Sequence, residues 1–311
     1  MILTVTPNAA MDITYTVEGF SLDRVHRPSA TRTVPGGKGI NVSRVLKELG
    51  RQSIATGFVG GQTGEAIIKG LDEEGIIHDF VRVKDESRLC IAIVDPTNGT
   101  QTELNENGPE IKDDEIDLIL EKIKKNLSGA THIVLCGSCP PGVPTSFYGD
   151  IINIARDADV KAVLDTSNDH LRAAVKASPY MLKPNLAELS QLVGRELFTL
   201  EEICTAAKSL KNMYGISITA VTMGRSGAIV TDGTQVWKAI PPEICFASAV
   251  GSGDSFVAAF IHSMLDGGSL EDALGLATAA GAANATTYGA GFCNKESIMK
   301  ILQGVALTNL K

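Results

Sequence analysis

Ala249-Val250-Gly251-Ser252-Gly253-Asp254-Ser255-Phe256 sets two glycines around a small serine, directly ahead of an apolar run. Glycines at such a turn let backbone N–H groups face a ligand without side chains in the way. The run that follows, residues 256–265, puts Phe256, Ala259, Phe260 and Ser263 on one helical face. The stretch therefore predicts a tight turn that opens a buried helix, and the partly positive start of a helix suits an anion. Asp254 falls in the first turn. Taken alone it reads as a carboxylate that stabilises a helix end. Beside an anion-binding turn it also has the chemistry of a general base, and the rest of the chain decides between the two.

Outward from that stretch, the chain alternates. Strand-like runs at 2–5, 53–59, 132–136, 162–165, 180–182 and 218–222 are separated by helical periods at 63–74, 113–126, 145–158, 169–177, 186–193 and 200–214. Such βα alternation predicts an α/β protein with a mostly parallel central sheet and helices on both faces. Polar residues sit at the predicted strand ends: Asp12 shortly after the first strand, then Ser138, Asp165 and Lys183-Pro184-Asn185. Those ends share one sheet edge, where α/β proteins form their clefts. Glu188 follows Asn185 by three positions, so the two share a helical face.

A second glycine turn, Pro35-Gly36-Gly37-Lys38-Gly39-Ile40-Asn41-Val42, leads into Val45, Leu46 and Leu49 at helical spacing. It is not a Walker A loop, because GxxxxGK[ST] is absent. Arg24, His26, Arg27, Arg32 and Lys38 crowd cationic side chains into the same region. Short strands at 80–83, 89–94 and 101–104, with no helix between them, predict an antiparallel patch that forms a lid. Residues 228–231 and 235–239 read as a hairpin turned at Asp232-Gly233. Residues 270–288 read as a helix of small residues that packs closely on a neighbour. With no repeat and no linker, the expected organisation is one domain over residues 1–311, with a discontinuous β lid from about 11–34 and 78–106.

Of the 311 residues 44% are hydrophobic and 21% charged, and the net charge is −8. That balance argues against a nucleic-acid partner. No apolar run is long enough for a membrane span, and residues 1–6 read as a strand rather than a signal peptide. The six scattered cysteines read as reduced, mostly buried thiols, so the expected location is cytoplasmic. Cys136-Gly137-Ser138-Cys139 has no second ligand pair spaced for zinc, and Pro140-Pro141 follows where a redox motif needs a helix start.

Taken in order, four motifs resemble the PfkB type of ribokinase-like sugar kinases, in particular the 1-phosphofructokinase and tagatose-6-phosphate kinase branch. They are Gly36-Gly37-Lys38-Gly39-Ile40-Asn41-Val42, Gly137-Ser138, Lys183-Pro184-Asn185-Leu186-Ala187-Glu188 and Val250-Gly251-Ser252-Gly253-Asp254. The resemblance runs from Met1 to about Asn294. It implies a ribokinase-like fold and an ATP-dependent kinase that turns a ketohexose monophosphate into a 1,6-bisphosphate, fructose 1-phosphate ranking ahead of tagatose 6-phosphate. By resemblance, Asp254 is the catalytic base and Gly251, Ser252 and Gly253 form the anion hole. Asp12, Gly36, Gly37 and Asn41 hold the sugar, while Arg27, Lys38, Arg88 and Ser138 meet its phosphate. Asn185 and Glu188 organise Mg2+. Lys183, Asn185, Thr222, Gly224, Arg225 and Gly227 lie by the ATP phosphates, and Asn284 near adenine.

Four positions depart from the family pattern. Pro7 precedes Asn8 and Ala9 stands where proline is usual, which puts the backbone path to Asp12 in question; Ser252 replaces a commoner alanine; Ala249 stands where threonine or serine is common. Two other readings compete. A kinase for a neutral sugar or nucleoside has no need of three cations, and a catalytically silent sugar-phosphate- or nucleotide-binding regulator has no need of an intact Asp254. The apolar residues on both faces of the lid strands further predict a homodimer that packs lid on lid.

Overall fold

The structure is a computed structural model and describes residues 1–310. Along the chain, β1 (Ile2–Thr6), β2 (Ala10–Thr16) and β3 (Ala30–Gly36) precede α1 (Lys38–Glu48), β4 (Ser53–Gly60) and α2 (Gly61–Glu74). Then come β5 (Ile77–His78), β6 (Val81–Val83), β7 (Arg88–Asp95) and β8 (Thr100–Asn105). Strict alternation follows: α3 (Asp113–Leu127), β9 (His132–Cys136), α4 (Phe147–Asp157), β10 (Lys161–Asp165), α5 (Asn168–Ala174) and β11 (Met181–Leu182). The remainder is α6 (Leu186–Val193), α7 (Leu200–Tyr214), β12 (Ile218–Thr222), β13 (Ala228–Thr231), β14 (Val236–Ile240), α8 (Ser252–Leu265), α9 (Leu270–Ala285), α10 (Lys295–Leu302) and β15 (Ala306–Asn309).

The large sheet runs β15-β14-β13-β12-β11-β10-β9-β1-β4-β5, with β6 also on β4. From β12 to β4 every pairing is parallel, so the carboxyl ends of β1, β9, β10, β11 and β12 open onto one edge. β1 shows why this strand is central. All five of its residues are buried, and alternate side chains serve different cores. Leu3 and Val5 join Ile133, Leu135 and the α3 residues Ile119 and Ile123 on one face. Ile2 joins Val134, Val163 and the α8 residues Val257 and Ala258 on the other. Helix ends follow local chemistry: Asn185/Glu188, Thr199/Glu202 and Ser269/Asp272 form capping boxes that start α6, α7 and α9. Left-handed Gly194 and Gly215 stop α6 and α7.

A separate four-stranded sheet, β3-β2-β7-β8, stands beside the cleft. Its β2–β7 pairing is parallel and the other two are antiparallel. This corrects the expected patch in two ways. The run at 80–83 becomes β6, pairs with β4 at Phe58↔Val81, and belongs to the edge of the large sheet. Its place is taken by β3, which carried no apolar alternation because most of it is exposed; pairing with β2 creates the strand. The small-residue helix stops at Ala285 rather than 288, where the hydroxyls of Thr286 and Thr287 turn back to the carbonyls of Ala283 and Asn284. α10 and β15 carried no signal strong enough to predict, and β15 is an exposed edge strand.

Candidate active site

The carboxyl edge of the large sheet and the inner face of the small one enclose a cavity of about 410 Å³, lined on the small-sheet side by Asp12, Thr14, Val34, Cys90, Ala92 and Gln101. A second cavity of about 230 Å³, with Ser138, Asn8 and Cys136 in its wall, shares Lys38, Arg88 and Asn105 with the first. Two glycine turns supply the floor. Gly37 (φ 110°) precedes α1 and Gly251 (φ 82°) precedes α8, and neither helix start has a side-chain cap. Their first-turn amides are thus directed donors without a side-chain partner, the arrangement that binds anions. A Cβ on Gly251 would lie 2.5 Å from Ala290 Cα, and a Cβ on Gly36 would lie 2.1 Å from the Asp12 carboxyl carbon. Close approach requires glycine at both positions, and at Gly251 the left-handed backbone requires it as well.

Asp254 sits three residues into α8 and is only 4% exposed. Asn41 Nδ2 donates to its Oδ2 at 2.9 Å. Burial pushes the Asp254 carboxyl up to about 6; Lys38 opposes the rise and Asp165 adds to it. Asp12 is pushed up to about 6 in the same way, against the charges of Arg44 and Arg88. Asp165, at the end of β10, is 1% exposed and accepts from Lys38 Nζ at 3.1 Å and Lys183 Nζ at 3.2 Å. Burial alone would raise its carboxyl, but the two lysines outweigh burial and hold it below the usual carboxylate range. Asp165 in turn holds Lys38 firmly protonated. Lys183 Nζ lies beside the start of α8, 3.4 Å from where a Gly253 Cβ would be.

Arg88, at the start of β7, donates to the carbonyls of Asn8 (3.2 Å) and Glu106 (3.3 Å) and has no carboxylate in salt-bridge range among the described residues. Its side chain lines both cavities. Ser138 lies in the wall of the second cavity, and Asn185 and Thr222 line the first beside Lys183. The Asn185 and Glu188 side chains cap each other's backbone N–H groups at 2.9 and 2.8 Å, which commits Asn185 Oδ1 and Glu188 Oε2 and leaves Glu188 Oε1 unpartnered. Gly224 and Arg225 make an exposed turn just beyond β12, and Gly227, which closes it, is buried against the Ala239 carbonyl of β14; none of the three lines the cavity.

Two expected site residues are placed differently. Arg27 lies in the exposed loop between β2 and β3 and lines neither cavity. Asn284 is 0% exposed; its Nδ2 donates to Val250 O at 2.6 Å and its Oδ1 accepts from Gly291 N–H at 2.8 Å. Its amide is spent holding the glycine turn from behind, with no edge left for a base. Sequence reading gave no partner for Asp165 and no role to Gln101, whose carbonyl accepts from Ser248 Oγ at 2.8 Å across the cleft. Strand-end position was the available signal for Asp165; Gln101 carried none.

Comparison with known proteins gives a consistent result. A model of the pfkB family carbohydrate kinases matches residues 4–297. The chain is 36% identical over 303 residues to the 1-phosphofructokinase of Borreliella burgdorferi, covering 97% of this chain and 96% of that one. Among solved structures, phosphofructokinase-2 from Escherichia coli in complex with fructose-6-phosphate superposes with a TM-score of 0.90 at 28% identity, over 97% of this chain and 98% of that one. A Thermotoga maritima protein described as a possible 1-phosphofructokinase superposes with a TM-score of 0.92 at 29% identity, over 100% of both chains.

The raised carboxyl of Asp254 has a consequence for stability. A carboxyl whose folded value is raised from 3.8 to about 6 binds its proton more tightly in the folded chain than in the unfolded one. Its contribution to stability therefore falls as pH rises through that window. Asp254→Asn is expected to raise Tm at about pH 8 and to change it little at about pH 4. A Tm gain of the same size at both pH values, or none at either, would contradict the buried carboxylate's cost.

Proposed function

The chain belongs to the pfkB family of carbohydrate kinases, and within it we propose that this protein acts as a 1-phosphofructokinase, transferring the γ-phosphoryl of ATP to O6 of fructose 1-phosphate. One observation carries the site assignment: a buried carboxylate, Asp254, stands at an uncapped helix start, next to a cavity that holds Lys38, Arg88 and Ser138. A sugar esterified at one end and phosphorylated at a hydroxyl on the other needs those two compartments.

In this reading the phosphate already on the sugar sits against Lys38 and Arg88, with Ser138 as a further donor. Asp12 and the second Nδ2 hydrogen of Asn41 take ring hydroxyls. Asp254 Oδ2 is already occupied by Asn41, so Oδ1 accepts the proton of the attacking hydroxyl. The sugar oxygen bonds to the γ-phosphorus, the bond to the ADP oxygen breaks, and the proton leaves with Asp254 for solvent. Amides of Gly251, Ser252 and Gly253, with Lys183, hold the transferring phosphoryl as its charge moves. Thr222, Gly224, Arg225 and Gly227 lie along the outer approach for the rest of the nucleotide.

A Mg2+ ion fits the donor set. It takes oxygen ligands, keeps several waters and needs only one or two carboxylates. Glu188 has one carboxylate oxygen without a partner, beside Asn185 in the cavity wall. When bound, the ion neutralises charge on the phosphates.

The outer face of the small sheet supports a dimer. Ile13, Ile91 and Leu104 stand in register across β2, β7 and β8, next to the Tyr15↔Ile93 pair, and Leu104 is 57% exposed. A sheet with apolar side chains on both faces and an exposed leucine on the outer one is suited to pairing with a second copy.

ADP release measured over fructose 1-phosphate, tagatose 6-phosphate and unphosphorylated fructose tests the assignment, with fructose 1-phosphate expected to give the highest kcat/KM. Higher kcat/KM on tagatose 6-phosphate would move the protein to the sister activity, and preference for the neutral sugar would remove the phosphate compartment. Asp254→Asn should keep substrate binding and lose ~10²–10⁴-fold in kcat. Near-normal turnover in that variant would rule out Asp254 as the base. Loss of a charged hydrogen bond costs ~1.5–3 kcal/mol, so Arg88→Ala should raise KM for the sugar phosphate roughly 10–150-fold and leave KM for ATP close to its starting value. Light scattering at micromolar concentration should report a dimer; a clean monomer ends the lid-on-lid proposal.

A further inference from the structure

Arg44 lies on α1, one turn beyond Asn41, and is 6% exposed. Its donors are all engaged. Nε and Nη2 meet the two carboxylate oxygens of Glu74 at 2.7 and 3.0 Å, and Nη2 also reaches Pro35 O at 2.7 Å. Nη1 donates to Asn41 Oδ1 at 2.9 Å and to Ala290 O at 3.0 Å. The guanidinium rests 4.6 Å from the Phe292 ring centroid. One side chain thus gathers α1, α2, the end of β3 and the loop after α9.

The chemistry of the contact with Asn41 matters most. A guanidinium only donates, so the amide edge that faces it has to be the carbonyl oxygen. The NH2 edge must then face the other way, toward Asp254 Oδ2, as the 2.9 Å contact has it. Without Arg44 nothing distinguishes the two amide orientations from that side. The reversed one would set Asn41 Oδ1 against a carboxylate oxygen, acceptor to acceptor.

We propose that Arg44, oriented by its bidentate pair with Glu74, is a positioning residue that selects the amide orientation of Asn41 and so fixes which oxygen of Asp254 is free for the sugar hydroxyl. This rests on Asp254 being the general base. Glu74 lies on a helix that contributes nothing to the wall of either substrate cavity, so its effect on turnover passes through Arg44.

The test is a double-mutant cycle on kcat. Arg44→Ala and Asn41→Ala are made singly and together, and thermal melts confirm that each is folded at the assay temperature. Small misplacements of reacting groups cost up to about 10²-fold. Arg44→Ala is expected to lose roughly 10–100-fold in kcat on that basis, with KM for ATP near that of the parent. In the Asn41→Ala background the same substitution should cost almost nothing more, because residues that act through one another are not additive. Equal losses in both backgrounds overturn the proposal, as does an unchanged kcat in folded Arg44→Ala. If Arg44→Ala does not fold, Arg44→Met, which keeps the bulk of the side chain and removes every donor, carries the same cycle. Activity retained in Asp254→Asn would fail the base assignment itself, whereas an inactive Asp254→Asn with an additive cycle fails only this inference.

Discussion

A carboxylate with no access to water, Asp165, holds two lysines that the chain brings from opposite directions: Lys38 from the start of α1 and Lys183 from the end of β11. An isolated charge at that depth would be costly, and two partners at hydrogen-bond distance make it tenable. The consequence extends past the ion pairs. Both lysines are pinned at the carboxyl edge of the sheet, one toward the smaller cavity and one beside the α8 helix start. The remaining oxygen, Asp165 Oδ2, has no hydrogen-bond partner among the described residues. The site is therefore assembled around an acid that need not itself touch the sugar.

Electrostatically, the cleft is a local exception in an acidic protein. The net charge is −8, yet Lys38, Lys183, Arg44 and Arg88 converge on a small volume. Asp12 and Asp254 sit among them with raised carboxyls because burial outweighs those cations. Two carboxyls raised by burial and one held low by its lysines form a graded set. An acid that exchanges its proton near physiological pH serves proton transfer, whereas a permanently charged one serves as an anchor.

Legibility in the sequence followed the range of the interactions. α6 and α7 were readable to the residue because their capping boxes and glycine stops are local. The glycine turns and Asp254 were readable because backbone freedom leaves a composition signature. Asp12 reached the cleft despite the alanine at position 9, since pairing of β2 with β3 and β7 sets its path. Longer-range features were not readable. The Lys38–Asp165 contact joins residues 127 positions apart, and β3 acquires its form from a partner strand. Asn284 was misread because an amide serves a ligand and an internal carbonyl equally well, and only burial tells them apart.

α9 carries a consequence of a different kind. Its buried side is mostly alanine, and a Cβ on Gly281 would come 3.1 Å from Ser252 O at the start of α8. At Gly275 an added Cβ would come 3.3 Å from Leu307 on β15. Close packing at these glycines, together with the Asn284 amide, thereby fixes where the turn before α8 begins. The constraint is one of volume: a side chain at Gly281 would push on the start of α8 and one at Gly275 on β15, so a helix remote from the sugar limits the shape of the turn that opens the cleft.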